Sequence, residues 1–185
     1  MSWHSKVAWS EGLFLRPQHL QQADRYAEHL LESRTSNITP YPWGFSEIEI
    51  DRDLAQQGKF GLRRAAGVMG DGTPFSFPGD SPLPAPIALD EKAAGLPVWL
   101  VLPVGQPNTR ETDDETAESA SRYIIRPEVL IDSASKMQVE EEIDVATPRF
   151  SFALRKTLKP GFASLLCARI VEVTDKAIVF DEKIA

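Results

Sequence analysis

The sequence from Trp9 to Leu31 is WSEGLFLRPQHLQQADRYAEHLL, and its second half has the period of an amphipathic helix. Pro17 suits the first turn, because its fixed φ matches a helix and its missing N–H needs no partner there. At about 100° per residue, five residues form one apolar stripe: Leu20, Ala23, Ala27, Leu30 and Leu31. The pattern predicts that this apolar stripe is the helix core and is buried against a sheet.

An arm rich in apolar residues precedes the helix. Its large apolar residues are Trp3, Trp9, Leu13, Phe14 and Leu15. In one interpretation the arm folds over its own domain and fills gaps. In the other, these five residues bind a partner, because aromatic residues dominate the energetics of protein interfaces. The residues alone favour the first interpretation. Charged residues and a proline interrupt any apolar core that a secretion signal would need.

The composition of the 185 residues excludes several classes of protein. A net charge of -7 argues against binding to a phosphate backbone, which needs a basic surface. No apolar run approaches the roughly 20 residues of a membrane-spanning helix. The single cysteine, Cys167, lies between apolar neighbours, which predicts a small buried side chain and is consistent with a reducing cytoplasm.

The pattern changes from helical to extended after Pro40. Alternating or continuous apolar runs predict strands at 45–50, 59–69, 74–77, 98–102, 122–126, 128–132, 136–145, 150–157, 162–173 and 177–181. A helical turn is expected at 51–55, a hairpin turn at 70–73 and a proline-rich loop at 78–97. The polar segment 105–121 is predicted to be a mobile loop. Strands at this spacing indicate a mainly β protein, an antiparallel β-sandwich of residues 41–185 onto which residues 1–40 pack.

Residues with catalytic or metal-binding chemistry do not form a recognisable constellation. His19 and His29 are separated by about 15 Å along one helix, and His19 is expected to pack or to cap the helix. The acidic run at 113–118 lacks the spacing and the glycine of a calcium loop. The glycines at 67–72 have no following Lys-Ser/Thr or helix, so they predict a hairpin rather than a phosphate-binding loop. No catalytic, cofactor-binding or metal-binding residue is therefore predicted.

Three stretches resemble the TssK family, the baseplate subunits of bacterial type VI secretion systems. The first and most specific is VAWSEGLFLRPQHLQQ at residues 7–22. The second is GVMGDGTPF at residues 67–75, which is similar to that family's hairpin before a proline-rich loop. The third is ARIVEV at residues 168–173 together with IVFD at 178–181. Family members are much longer, so the chain resembles their N-terminal domain without the helical neck and C-terminal domain.

The resemblance implies a structural adaptor and no enzyme, metal or cofactor. It implies a β-sandwich similar to the shoulder domain of phage receptor-binding proteins, in a cytoplasmic homotrimer recruited to the secretion apparatus at the inner membrane. This end would dock onto the baseplate wedge of TssF, TssG and TssE, and the absent C-terminal part would contact TssL and TssM. In such an adaptor the apolar arm is expected to bind partner proteins. The adaptor is expected to bind no nucleic acid and not to insert directly into the membrane.

Two other classes of function stay open on the sequence. A phage-like sandwich is compatible with carbohydrate or ligand binding, although the four tryptophans at 3, 9, 43 and 99 do not cluster in sequence. An enzyme could use His19 and nearby acids as acid and base groups.

Overall fold

A computed structural model describes residues 3–107, 109–114, 121–134, 139–155, 160–174 and 177–181 of the chain. The chain divides into two compact units, Met1–Trp43 and Gly44–Ala185, with a boundary close to the one expected at residue 40. The helices are α1 (Pro17–Ser36) and α2 (Arg52–Gln56), with a 3₁₀ turn at Glu91–Ala93. The strands are β1 (Gly44–Ile50), β2 (Lys59–Phe60), β3 (Leu62–Val68), β4 (Pro74–Phe77), β5 (Ile87–Ala88), β6 (Pro97–Pro103), β7 (Thr112–Asp113), β8 (Tyr123–Ile131), β9 (Glu140–Pro148), β10 (Ser151–Leu154), β11 (Phe162–Thr174) and β12 (Ala177–Phe180).

Helix α1 begins where the sequence predicts. Pro17 occupies its first turn, and Arg16 is the N-cap residue with an extended backbone. The Arg16 N–H donates to Nδ1 of His19 at 3.0 Å, and the His19 N–H donates back to the Arg16 carbonyl at 2.9 Å. These two bonds satisfy donors that a helix start leaves unpaired, so the prediction of a capping role for His19 is confirmed.

The predicted burial of the apolar stripe is wrong within this chain. No residue of α1 is buried: Leu20 is 52% exposed and Leu31 is 65% exposed. Ala27 is also exposed, whereas Ala23 and Leu30 are half-buried. The stripe identifies the apolar side of the helix, but a periodic pattern does not say what covers that side.

The unit Gly44–Ala185 is a mainly β sandwich, as predicted. One antiparallel sheet has the strand order β1-β3-β4 and the other has β10-β6-β11-β12. Their inner faces contribute to one hydrophobic core, in which Phe150 packs against Phe75 and Phe77 at centroid distances of 5.6 and 5.0 Å. Cross-sheet aromatic contacts of this kind stabilise a sandwich beyond the area that they bury.

Strand β6 lies at the centre of the second sheet. It pairs with β10 on one side and β11 on the other, and Val98, Leu100 and Leu102 are fully buried. A continuous apolar run is the pattern of a strand covered on both sides, and the predicted buried strand at 98–102 is confirmed. Cys167 on β11 is also fully buried, as predicted, and burial raises the pKa of its thiol to about 12.

The hairpin β3–β4 forms at the predicted turn, and β4 is an edge strand. Gly67 is required there, because a Cβ at this position would lie 2.2 Å from the Gly44 carbonyl oxygen. The single strand predicted at 59–69 is wrong, since β2 and β3 belong to different sheets. Gly61 separates them, and a Cβ at Gly61 would collide with the Leu54 side chain at 2.5 Å.

Strands β8 and β9 form an antiparallel ribbon paired along nine residues of each strand. The sequence predicts two strands at 122–126 and 128–132, but β8 continues through Pro127 as one strand. Strand β7 pairs with β8 only at Tyr123 and Ile124, within the segment predicted to be a loop. Residues 115–120 of that segment, and residues 135–138, lie outside the described part of the chain.

Candidate protein–protein interface

The start of the arm folds onto α1. The Nε2 amide of Gln22 donates to the carbonyls of Trp3 at 3.1 Å and Ser5 at 2.7 Å. The Arg25 guanidinium lies 4.5 Å from the centroid of the Trp3 ring, and the ring of His4 stacks on His29 at 3.9 Å. These amide, cation–π and stacking contacts attach residues 3–5 to the polar side of the helix.

The arm thus packs on the side of α1 that lies opposite the apolar stripe. On a helical wheel, the mean direction of Gln22, Arg25 and His29 lies about 160° from the mean direction of the five stripe residues. A helix on a protein surface normally turns its apolar side inward and its polar side to water. Here the start of the arm contacts the polar side, and three of the five stripe residues, Leu20, Ala27 and Leu31, are open to solvent.

The five arm residues predicted to bind partners differ in their exposure to solvent. Trp3 is half-buried against Arg25, whereas the other four are exposed: Trp9 55%, Leu13 37%, Phe14 80% and Leu15 55%. The contacts of the packed start involve residues 3–5, and the exposed residues lie on either side of or within a turn at residues 10–13, closed by the Leu13 N–H to Ser10 carbonyl bond at 3.2 Å. The first part of the arm therefore packs on its own unit, and the second part presents apolar side chains.

Exposed apolar side chains are concentrated in Met1–Trp43. This unit is less than a quarter of the chain, yet it carries nine of the 19 exposed large hydrophobic residues in the described part of the structure. The nine are Trp9, Leu13, Phe14, Leu15, Leu20, Leu31, Ile38, Tyr41 and Trp43. Single exposed apolar residues are ordinary, but a concentration of this kind makes the unit a candidate for a protein-binding surface.

The residues considered for catalysis do not assemble into a reactive group. Nδ1 of His19 accepts the Arg16 N–H, so that nitrogen is engaged in the helix cap. Within the described ranges, no three His, Cys, Asp or Glu residues are grouped as metal ligands.

Two of the tryptophans considered for carbohydrate binding have different surroundings. The indole N–H of Trp99 donates to the Arg155 carbonyl, while Trp3 lies against Arg25. None of the helices in the described part of the chain combines the length and apolar composition of a membrane-spanning segment.

Arg122 joins three elements of the sandwich and was not identified from the sequence. Its guanidinium donates to the Asp71 carboxylate at 2.8 Å, to the Pro103 carbonyl at 2.6 Å and to the Thr73 hydroxyl. Burial lowers the pKa of Arg122, but Asp71 and Tyr123 more than compensate, so its pKa is raised overall. A cleft of about 440 Å³ lies beside it, lined by loop residues that include Gly105, Glu111 and Gly161. The bonds of Arg122 point to a structural role.

Comparison with known proteins identifies the family. The profile described as "Bacterial Type VI secretion, VC_A0110, EvfL, ImpJ, VasE" matches residues 19–184. The type VI secretion system baseplate component TssK1 of Pseudomonas aeruginosa is 37% identical over 184 residues, which cover 98% of this chain and 41% of that protein. The chain belongs to the TssK family. It spans about two fifths of the length of TssK1.

Solved structures of TssK proteins have the same fold. A crystal structure of TssK is 31% identical to the chain with a TM-score of 0.88, covering 96% of this chain and 41% of that one. The cryo-electron microscopy structure of a TssK-TssF-TssG baseplate subcomplex contains a chain 21% identical, with a TM-score of 0.84, covering 97% of this chain and 60% of that one. The mainly β fold with one long N-terminal helix is thus the fold of TssK proteins over nearly all of this chain.

Proposed function

We propose that the chain is the N-terminal structural domain of a type VI secretion baseplate adaptor, and that Met1–Trp43 is the surface that docks onto the baseplate wedge. The observation that carries this proposal is the exposure of Leu20 and Leu31 of the apolar stripe and of the apolar residues of the arm segment Trp9–Leu15 in the same unit. Burial of apolar side chains contributes roughly 25 cal/mol per Å² of area removed from water, which favours a protein partner over solvent.

The arrangement of the arm supports a docking role. The contacts of residues 3–5 with α1 hold the start of the arm, so the exposed segment leaves the helix from a fixed point. A partly ordered segment loses less conformational entropy on binding than a free one. Trp9 and Phe14 are large and have few rotatable bonds, as residues that dominate interface energetics do.

The partners follow from the relatives. One solved structure with this fold is that of a TssK-TssF-TssG baseplate subcomplex. We infer that TssF and TssG, two proteins of the baseplate wedge, bind this domain, and that TssE belongs to the same wedge. We further infer that the domain acts in the cytoplasm as part of a homotrimer. The remainder of a full-length TssK protein would contact TssL and TssM of the membrane complex. The role is structural and requires no catalytic step.

A pull-down with the cognate TssF–TssG complex tests the proposal. The variant Phe14→Ser with Leu15→Ser removes exposed apolar side chains that make no packing contact in the core, so the domain should stay folded. We expect the variant to retain at most about a tenth of the wedge proteins that the wild-type chain retains, since truncated hot-spot residues weaken binding by tenfold or more.

The matched control is Leu83→Ser with Val171→Ser, which removes two exposed apolar side chains from the sandwich unit, where Leu83 is 40% and Val171 is 55% exposed. The control should bind as the wild type does. Equal retention of TssF and TssG by all three proteins, each with an unchanged melting temperature, would contradict the proposed docking surface.

A further inference from the structure

The distal half of the ribbon is exposed on both faces. This half consists of residues 127–132, which end one residue beyond β8, and residues 139–144, which begin one residue before β9. All of these residues are exposed. Five of them are large aliphatic residues: Val129 60%, Leu130 47%, Ile131 56%, Val139 50% and Ile143 43%. A two-stranded ribbon is only marginally stable in water, so exposed aliphatic residues along it gain from a covering partner.

The cross-strand register gives the two faces different patterns. On one face, here the two-column face, Pro127, Val129 and Ile131 stand opposite Asp144, Glu142 and Glu140. All the apolar residues of this face lie on β8 and all the acids lie on β9. On the other face, the checkerboard face, Leu130 stands opposite Glu141 and Glu128 opposite Ile143, so apolar and acidic residues alternate diagonally. Only the two-column face presents an apolar row beside an acidic row.

The charge of this surface selects a basic partner. The distal half of the ribbon contains six acidic residues and no lysine or arginine: Glu128, Asp132, Glu140, Glu141, Glu142 and Asp144. A second copy of the chain is a poor complement, because its net charge is -7. Arg63 and Arg64 are neighbours in sequence on β3, and they are already paired with Glu47, Glu49 and Asp53 of the same chain. A basic segment of another protein would complement this charge better than a second copy of the chain does.

The spacing of the rows fits a helix. Alternate residues of a strand are about 6.7 Å apart, close to the roughly 6 Å between residues i and i+4 of an α-helix. A helix lying along the ribbon can therefore match one row of its apolar residues to Val129 and Ile131 and a neighbouring basic row to Glu142 and Glu140. We propose that the two-column face of the ribbon binds a basic amphipathic helix of a partner protein, through residues other than those of the arm and the apolar stripe.

Acidic residues on a sheet edge also discourage aggregation, and that role alone explains the β9 row. It does not explain Val129 and Ile131, which are more than half exposed on the neighbouring strand. Acidic residues protect a sheet edge from aggregation whichever face of the ribbon they lie on. A docking site, in contrast, requires that its residues lie on the same face. The two faces of the ribbon therefore supply matched variants for a test.

The probe is a fluorescein-labelled helical peptide with a leucine row beside a lysine row, and binding to the 185-residue chain is followed by fluorescence anisotropy. Glu140→Lys with Glu142→Lys reverses charge on the two-column face, and Val129→Thr with Ile131→Thr removes its apolar row while keeping β-branched residues. We expect each pair to weaken binding at least about tenfold. The control, Glu128→Lys with Glu141→Lys, makes the same change of net charge on the checkerboard face and should weaken binding by less than about threefold.

Three outcomes would overturn the inference. The peptide fails to bind, the two charge reversals weaken binding equally, or the Val129 and Ile131 pair binds as the wild type does. Circular dichroism of each variant establishes that the sandwich is folded, and Glu140→Gln with Glu142→Gln replaces the reversal if that variant unfolds. Sedimentation of the chain alone distinguishes the occupant. An oligomer that the Val129 and Ile131 pair dissociates would assign the face to a second copy and overturn the proposal, whereas a monomer, or an oligomer that this pair leaves unchanged, supports it.

Discussion

Leu30 belongs to the apolar stripe but is only half-buried, so its truncation should have a small effect. We expect Leu30→Ala to lower the free energy of unfolding by less than about 1 kcal/mol, because little apolar area is exposed anew and alanine favours a helix. The fully buried Leu100 is the control, and Leu100→Ala should cost about 2–5 kcal/mol. Chemical denaturation followed by circular dichroism compares the two. A loss for Leu30→Ala as large as that for Leu100→Ala would show that the helix is packed.

Cys167 should be chemically inert in the folded protein. Burial raises the pKa of its thiol from 9.0 to about 12, so at neutral pH the side chain is protonated as well as inaccessible. Because the folded state holds the proton more tightly, the stabilisation is present below pH 9.0 and is lost as the pH rises from 9.0 towards 12. A thiol reagent at neutral pH should label the chain only after denaturant is added. Rapid labelling of the native chain would contradict the buried placement.

Arg122 shows how one side chain can connect elements that are distant in sequence. It bonds the turn before β4 and the end of β6 from a position just before β8, with its side chain 12% exposed. We expect Arg122→Ala to destabilise the sandwich by about 3 kcal/mol, since it leaves the largely buried Asp71 carboxylate without its partner.

The control for that prediction is Arg63→Ala, which breaks ion pairs with Asp53 and Glu49 at an exposed surface. Exposed pairs contribute about 0–1 kcal/mol, so this variant should unfold close to wild type. Equal melting temperatures for the two variants would contradict the structural role assigned to Arg122.

Elements with one clear period could be predicted from the sequence, and elements set by distant contacts could not. Helix α1, the buried strand β6 and the hairpin β3–β4 each carry a local signal in proline placement, a continuous apolar run or turn glycines. The division of β2 from β3 follows their pairing with different partners, β5 and β1, which no local pattern contains. The continuity of β8 through Pro127 depends likewise on pairing with β9.

The candidate interface was only partly predictable for a related reason. Composition and order single out Trp9, Leu13, Phe14 and Leu15 as apolar residues ahead of a helix, and the structure leaves them exposed. Periodicity also identifies the stripe, but it implies burial within the chain, whereas the structure places the start of the arm on the opposite side. The contacts of Gln22 and Arg25 that produce this result join residues 17 and more positions apart, beyond any helical period.

At the scale of the whole molecule, the two units differ in whether they enclose a core. The sandwich unit has one core of aromatic and aliphatic residues, with exposed aliphatic residues on its β8–β9 ribbon, whereas no described residue of Met1–Trp43 is buried. This contrast is the physical basis for proposing a scaffold role for the sandwich core and a docking role for the helical unit.

The most direct test of this account is a calorimetric titration of the chain with the cognate TssF–TssG complex, comparing wild type with Leu20→Gln plus Leu31→Gln. Glutamine keeps the helical propensity and length of the side chain but removes the apolar surface at two positions that are 52% and 65% exposed. The account predicts an unchanged melting temperature and an affinity at least about tenfold weaker. An unchanged affinity, with the variant folded, would contradict it.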